Sequence, residues 1–171
     1  MRLLILGGAR SGKSRYAEKL ARESGAEVVY LATGWAGDAE MAVRIARHRA
    51  QRPAEWLTVE EPCALAEALQ AHCRPDRWVI VDCLTLWLSN LLEAGDVRFL
   101  LERSALLDIL PELSGTICLI GNEVGHGIVP INPLARRFVD EAGWLHQDLV
   151  ATSDRVVWMV AGLPLMLKDI E

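Results

Sequence analysis

The sequence predicts an α/β fold with a mainly parallel sheet flanked by helices, organised as one domain over residues 1–171. Three observations predict it. Short apolar runs that do not alternate in polarity recur along the chain, as strands buried on both faces do. Helical patterns separate nearly all of them, the order that parallel sheets require. And the first apolar run, Leu3-Leu4-Ile5-Leu6, passes directly into Gly7-Gly8-Ala9-Arg10-Ser11-Gly12-Lys13-Ser14, which opens a helix. That octapeptide reads G-x-x-x-x-G-K-S, a phosphate-binding loop in its confirming strand–loop–helix context.

The first helix is expected from about Lys13 to Ser24, with Gly25 as its cap. Val28-Val29-Tyr30-Leu31 forms the second strand and ends at Ala32-Thr33-Gly34, where an open α/β sheet places a ligand-facing loop. A helix from about Asp38 to Gln51 follows, stopped by Pro53, and carries Arg44, Arg47, His48 and Arg49 with Arg52 just beyond. Trp56 to Val59 reads as a short strand, and Glu60-Glu61-Pro62 as the start of a helix to about His72, with Pro62 in its first turn. Trp78 to Asp82 is an apolar strand closed by a carboxylate. Helices from Leu84 to Glu93 and from Val97 to Leu110 precede the strand Thr116 to Ile120 and a Gly-rich loop to Pro130. Asn132-Pro133 starts a long helix to about Thr152, weakened or interrupted at Gly143. Arg155 to Val160 reads as the last strand, after which Gly162-Leu163-Pro164 turns the chain.

The totals bound the function. A chain of 171 residues is long enough for one sizeable core. A net charge of −5 argues against a broad nucleic-acid footprint. The N-terminal apolar run is four residues long, too short for a secretory signal, and no stretch approaches the roughly 20 apolar residues of a membrane span. A cytoplasmic protein is expected. Cys63, Cys73, Cys83 and Cys118 form no C-x-x-C pair and read as free, mostly buried thiols rather than a zinc site.

The loop chemistry points to a nucleoside triphosphate. Its glycines let backbone N–H groups turn around a phosphate chain, and the helix behind adds its positive end. Lys13 reaches the β- and γ-phosphates, and Ser14 is a ligand for Mg²⁺. Asp82, at the end of its strand, is the second metal residue, holding Mg²⁺ through water. His48 among arginines reads either as a solvated histidine or as a nucleophile toward phosphorus, since Arg47 and Arg49 favour its neutral form and attract phosphates. Glu60 and Glu61 suit a ribose hydroxyl, a base edge or a helix cap, the cap fitting Glu61 better. Glu123, in a Gly-rich loop, is a candidate for substrate contact. His72, His126 and His146 carry no spacing signal, and the six tryptophans read as core or interface. The guanine-reading pattern N-K-x-D is absent, as is any protein-kinase signature set. From residues alone the chain is a P-loop kinase or nucleotidyl-transferring enzyme on a small molecule.

Further stretches act together: Asp38-x-Glu40-Met41, Arg44-Ile45-x-x-His48-Arg49-x-x-Arg52-Pro53, Trp56-x-Thr58-x-Glu60, Asp82-Cys83-Leu84-Thr85 with Asn90, Asn122-Glu123-Val124-Gly125-x-Gly127-Ile128-Val129-Pro130, and Ala135-Arg136-x-Phe138-x-Asp140. With the phosphate loop, and over nearly the whole chain, they resemble the bifunctional adenosylcobinamide kinase and adenosylcobinamide-phosphate guanylyltransferase family of cobalamin biosynthesis. The resemblance implies two reactions. ATP or GTP phosphorylates the hydroxyl of adenosylcobinamide; GTP then gives GMP to adenosylcobinamide phosphate through a guanylyl-histidine, with His48 at the matching position. Lys13, at the phosphates, is the other catalytic candidate. It implies nucleotide contacts from Gly7, Gly8, Ala9, Arg10, Ser11, Gly12, Lys13 and Ser14, from Ala32, Thr33 and Gly34, from Arg49, Ala50, Gln51 and Arg52, and from Glu60 and Asp82. It also implies a recombinase-ATPase-like P-loop NTPase fold and a homotrimer. Many members of that family carry Asn where this chain has His146. The readings that compete with it are a plain small-molecule kinase, with His48 on the surface, and a nucleotide-switched regulatory protein.

Overall fold

The computed structural model describes residues 1–35 and 53–170. The expected helix 38–51, with Asp38, His48, Arg49, Ala50, Gln51 and Arg52, lies outside the described residues. Seven strands form one sheet: β1 (Arg2–Gly7), β2 (Glu27–Ala32), β3 (Leu57–Glu60), β4 (Arg77–Asp82), β5 (Thr116–Asn122), β6 (Arg155–Val160) and β7 (Leu163–Asp169). Their order is β3-β2-β4-β5-β1-β6-β7. All neighbours are parallel except β6 and β7. The helices are α1 (Lys13–Ser24), α2 (Leu65–His72), α3 (Leu84–Ala94), α4 (Asp96–Ile109) and α5 (Pro133–Thr152), with a 3₁₀ turn at Leu110–Glu112.

The run of consecutive apolar residues in each central strand follows from helices covering both faces. On one face Leu4, Leu6, Val79, Val81 and Leu119 pack under α2 to α5, against Leu69, Trp87, Leu106 and Leu145. On the other, Leu3, Ile5, Val28, Tyr30 and Ile80 pack with Ala17 and Ala21 of α1. Alternate side chains of β1 therefore feed two cores. Trp87 is fully buried, and its indole N–H donates to the Cys63 carbonyl at 2.7 Å. Trp87→Ala removes both the packing and the donor. It is expected to cost roughly 3–5 kcal/mol, read as a fall in melting temperature of about 10 °C or more.

Several boundaries differ from expectation, each for a local reason. Pro62 is not in a first helical turn: α2 begins at Leu65, because the Glu61 carboxylate accepts from the backbone N–H groups of Cys63 and Ala64 and turns the chain first. Glu61 is thus a local cap, as its position before Pro62 suggests. Gly143 does not interrupt α5, which runs unbroken for 20 residues. A side chain at 143 would meet nothing within 4 Å, so the helix is held by its Ala142, Leu145 and Leu149 face. Its start matches the sequence, with the Asn132 side chain accepting from Leu134 and Ala135 N–H and Pro133 in the first turn. The chain beyond Gly162 does not simply turn away. It forms β7, and Pro164 is accommodated because β7 is an edge strand.

All four cysteines are free. Cys73 and Cys83 are buried, and burial pushes both thiols up to about 11, which makes them inert. Among the described residues no helix is long and apolar enough to cross a membrane.

Candidate active site

The C-terminal ends of β1, β2, β3, β4 and β5 lie along one edge of the sheet. In register, Gly7 pairs with Asn122, Ile120 with Asp82, Asp82 with Ala32, and Ala32 with Glu60. An open parallel sheet binds ligands at this edge.

The phosphate loop is held in a wrapped shape that its sequence permits. Gly12 has φ 96° and immediately precedes α1, and Arg10 takes φ 57°. Gly7 must be glycine, because a Cβ there would lie 2.5 Å from the Met159 carbonyl oxygen of β6. The turn between β6 and β7 closes the loop from outside, with Gly162 N–H donating to the Ser11 carbonyl at 3.0 Å. Gly8, Ala9 and Arg10 are exposed, so the loop faces solvent, where a phosphate chain would arrive. The Ser11 hydroxyl is buried without a hydrogen-bond partner. An orphaned polar atom inside a phosphate-binding loop is one that phosphate oxygens would satisfy.

Lys13 is 6 % exposed and donates to the carbonyls of Gly7 (3.0 Å) and Gly8 (2.7 Å). Burial lowers its pKa, and the nearby Cys83 and Asp82 pull it back up. The ammonium is thus folded against the loop, with its charge in place for phosphates. Ser14 donates to Oδ2 of Asp82 at 2.7 Å, across 68 positions of sequence. The two residues expected to share Mg²⁺ therefore meet. A hydroxyl and a carboxylate oxygen at hydrogen-bond distance, beside the triphosphate cradle, fit a hard oxygen-seeking cation.

Tyr30, 1 % exposed in β2, donates its phenol hydrogen to the same Asp82 oxygen. The sequence reading missed it. Its signal was a tyrosine in a strand buried on both faces, since a buried phenol requires a partner. Thr33 is fully buried, and its hydroxyl donates to the Cys83 carbonyl at 2.7 Å and accepts from Cys83 N–H at 2.8 Å. Asn90 of α3 donates to the carbonyls of Thr33 (2.8 Å) and Pro62 (2.9 Å). Ala32 and Thr33 are thereby fixed to the end of β4, and Thr33 also to α3. Glu60 lies on the edge strand β3, four strand spacings from β1, or roughly 19 Å. The structure joins it to Ala32 rather than to the phosphate loop. His48 and residues 49–52 lie outside the described residues.

On the other side of β1's end, Glu123 follows β5 directly. Its N–H donates to the Gly7 carbonyl at 3.0 Å, the same oxygen that Lys13 contacts. Thr85 of α3 accepts from Asn122 N–H at 2.7 Å and fixes the approach. The arrangement sets a wrapped glycine-rich loop, one ammonium, a bonded hydroxyl–carboxylate pair and a second carboxylate at one end of the sheet.

Comparison with known proteins gives a consistent answer. Residues 3–167 match the model of the family described as cobinamide kinase / cobinamide phosphate guanyltransferase. The chain is 59% identical over 169 residues to the bifunctional adenosylcobalamin biosynthesis protein CobP of Pseudomonas aeruginosa, covering 98% of each. It is 38% identical to the bifunctional adenosylcobalamin biosynthesis protein CobU of Escherichia coli K12, over 98% of this chain and all of that one. Among solved structures, the RadB recombinase aligns with a TM-score of 0.53 at 18% identity, over 92% of this chain and 73% of that one. The flagellar accessory protein FlaH of Methanocaldococcus jannaschii aligns with a TM-score of 0.54 at 14% identity, over 99% and 78%. These two likenesses bear on the fold alone and agree with the recombinase-ATPase-like P-loop architecture.

Proposed function

Because the chain belongs to the cobinamide kinase / cobinamide phosphate guanyltransferase family, enzymes of cobalamin biosynthesis, we propose that it carries out two successive transfers on one corrinoid. In the first, the hydroxyl oxygen of adenosylcobinamide attacks the γ-phosphorus of ATP or GTP. A new P–O bond forms, the bond to the β–γ bridging oxygen breaks, and the diphosphate leaves. In the second, a ring nitrogen of His48 attacks the α-phosphorus of GTP and pyrophosphate departs, leaving GMP on the histidine. The phosphate of adenosylcobinamide phosphate then takes the GMP, which regenerates the imidazole and gives adenosyl-GDP-cobinamide.

The observation that carries the reading is the assembled phosphate cradle: the Ser11 hydroxyl without a partner, Lys13 folded on the loop, and Ser14 bonded to Asp82. Ser14 and Asp82 would hold Mg²⁺, which neutralises triphosphate charge when bound. Tyr30 keeps Asp82 oriented for that task. Lys13 would follow the charge as it develops on the departing phosphate oxygen. Support for His48 comes from the sequence, where Arg44, Arg47, Arg49 and Arg52 lie within four positions of it and supply phosphate-attracting charge. The proposed assembly is a homotrimer.

The test is to incubate the protein with Mg²⁺ and GTP labelled at the α-phosphate, denature it, and look for bound label. Acid-labile, base-stable label that is absent from His48→Ala is the expected result. No label on wild-type protein that still binds GTP would overturn the guanylyl-histidine and leave a plain kinase.

A further inference from the structure

Glu123 and His146 form a pair that the reaction described above does not use. Glu123 stands at the mouth of the phosphate loop, tied by its N–H to the Gly7 carbonyl. One of its carboxylate oxygens accepts from Gly125 N–H at 2.7 Å. The other lies 3.9 Å from Nδ1 of His146, which reaches up from α5 and is 7 % exposed. Gly121 makes that approach possible, because a Cβ there would sit 2.7 Å from His146 Nε2. With Nε2 seated on the glycine, Nδ1 is the nitrogen turned toward the carboxylate. Burial lowers the histidine pKa, more than Glu123 raises it, so the ring is neutral near pH 7.

Among the described residues, the other carboxylates at this edge are committed elsewhere. Asp82 receives Ser14 and Tyr30, and Glu61 caps the turn into α2. Glu60 is four strands away from β1, whereas β5, which ends at Glu123, is β1's direct neighbour. The segment that follows, from Val124 to Ala135, contains no charged residue apart from a histidine, His126. Its Ile128 and Ile131 are almost fully exposed. An acceptor with an apolar body would therefore meet an uncharged approach that ends at one carboxylate beside the phosphates.

We propose that Glu123 takes the proton from the acceptor hydroxyl during phosphoryl transfer, and that the buried ring of His146, 3.9 Å away, positions the carboxylate. This rests on the kinase half of the proposed function. The hydroxyl proton passes to the Glu123 carboxylate as its oxygen bonds to the γ-phosphorus, and it is later released to solvent. Among the described residues, the charged and titratable groups facing the pair are few. Lys13 comes from α1 through the shared Gly7 carbonyl, and His126 of the following loop stands 4.0 Å from the carboxylate with its ring against Trp158. The only charged side chain of α3 is Glu93, near its far end, and β1 brings only Arg2, at its opposite end.

The experiment measures phosphorylation of cobinamide by ATP and, separately, labelling by GTP, in full-length Glu123→Gln, His146→Ala and His146→Asn. Gln keeps an oxygen for Gly125 N–H and lacks only the basic carboxylate. Glu123→Gln is expected to lower kcat of the kinase step about 100-fold or more, with KM for ATP and the GTP labelling unchanged. His146→Ala should lose about 10- to 100-fold in kcat through misplacement of the carboxylate, and His146→Asn, which keeps a polar side chain beside the carboxylate, should recover most of that loss. ATP binding controls for folding. A Glu123→Gln enzyme that binds ATP and keeps kcat within about threefold would overturn the proposal, as would equal losses in His146→Ala and His146→Asn. Wild-type protein that takes label from GTP but never phosphorylates cobinamide would overturn the kinase reading itself, and the role of Glu123 with it.

Discussion

Lys13→Ala is expected to lower phosphorylation of cobinamide about 1,000-fold while leaving the fold intact. Lys13 contributes little to the core as a hydrocarbon. Its ammonium donates to two carbonyls of its own loop, Gly7 and Gly8, and those carbonyls sit at an edge that water reaches once the side chain is gone. The loop shape is set independently, by the glycine conformations and by the Gly162 to Ser11 hydrogen bond. What disappears is the one buried cation among the described residues, held against the phosphate loop. A charge placed before the reaction and shielded from water has its largest effect where negative charge accumulates in the transition state. Lys13→Arg should not rescue, because a planar guanidinium does not fit the space of a compact ammonium beside Gly7. Steady-state kinetics with a melting curve on the same preparation check both halves. A loss of activity that tracks a loss of melting temperature would contradict the assignment.

His48→Ala is expected to remove guanylyl transfer by about 10,000-fold or more, as loss of a covalent nucleophile does, and to leave cobinamide phosphorylation within a few-fold of wild type. The separation follows from what each step needs. Among the described residues, β1, α1 and β4 bring the phosphate loop, Lys13, Ser14 and Asp82 together, with Tyr30 of β2 on Asp82 and Gly162 of the β6–β7 turn on the loop. The mutant should therefore accumulate cobinamide phosphate when given both nucleotides, which chromatography of the reaction mixture reads directly. Equal loss of both activities would mean that His48 supports the shared nucleotide site rather than a covalent step.

The fold was legible wherever local sequence and tertiary role agree. The run Leu3 to Leu6 must be buried on both faces, and the structure gives each face its own core. Gly25 and Asn132-Pro133 mark helix ends by local chemistry, and both ends fall where expected. Pro164 misled because proline signals a turn in sequence, whereas its tolerance in β7 depends on that strand being at the sheet edge, which only the assembled order decides. Gly143 misled in the same way: propensity disfavours it, and the packed face of α5 outweighs that preference.

The phosphate loop was legible because all its determinants lie within eight consecutive residues. The partnership of Ser14 with Asp82 could be anticipated from an apolar strand ending in aspartate. Tyr30 could not, since its partner is 52 positions away and is chosen by the parallel register of β2 and β4. His146 is the extreme case. Nothing near it in sequence marks it, and its nearness to Glu123 depends on a glycine in β5 that leaves room for the ring.

The central claim, one chain performing two transfers on one acceptor, is tested most directly by product mass. The protein is incubated with cobinamide, Mg²⁺, ATP and GTP, and the corrinoid products are weighed by mass spectrometry over time. Cobinamide phosphate is expected to appear first and then give way to cobinamide bearing a full GDP unit. A reaction that stops at cobinamide phosphate with GTP in excess, or that leaves cobinamide unchanged, would contradict it.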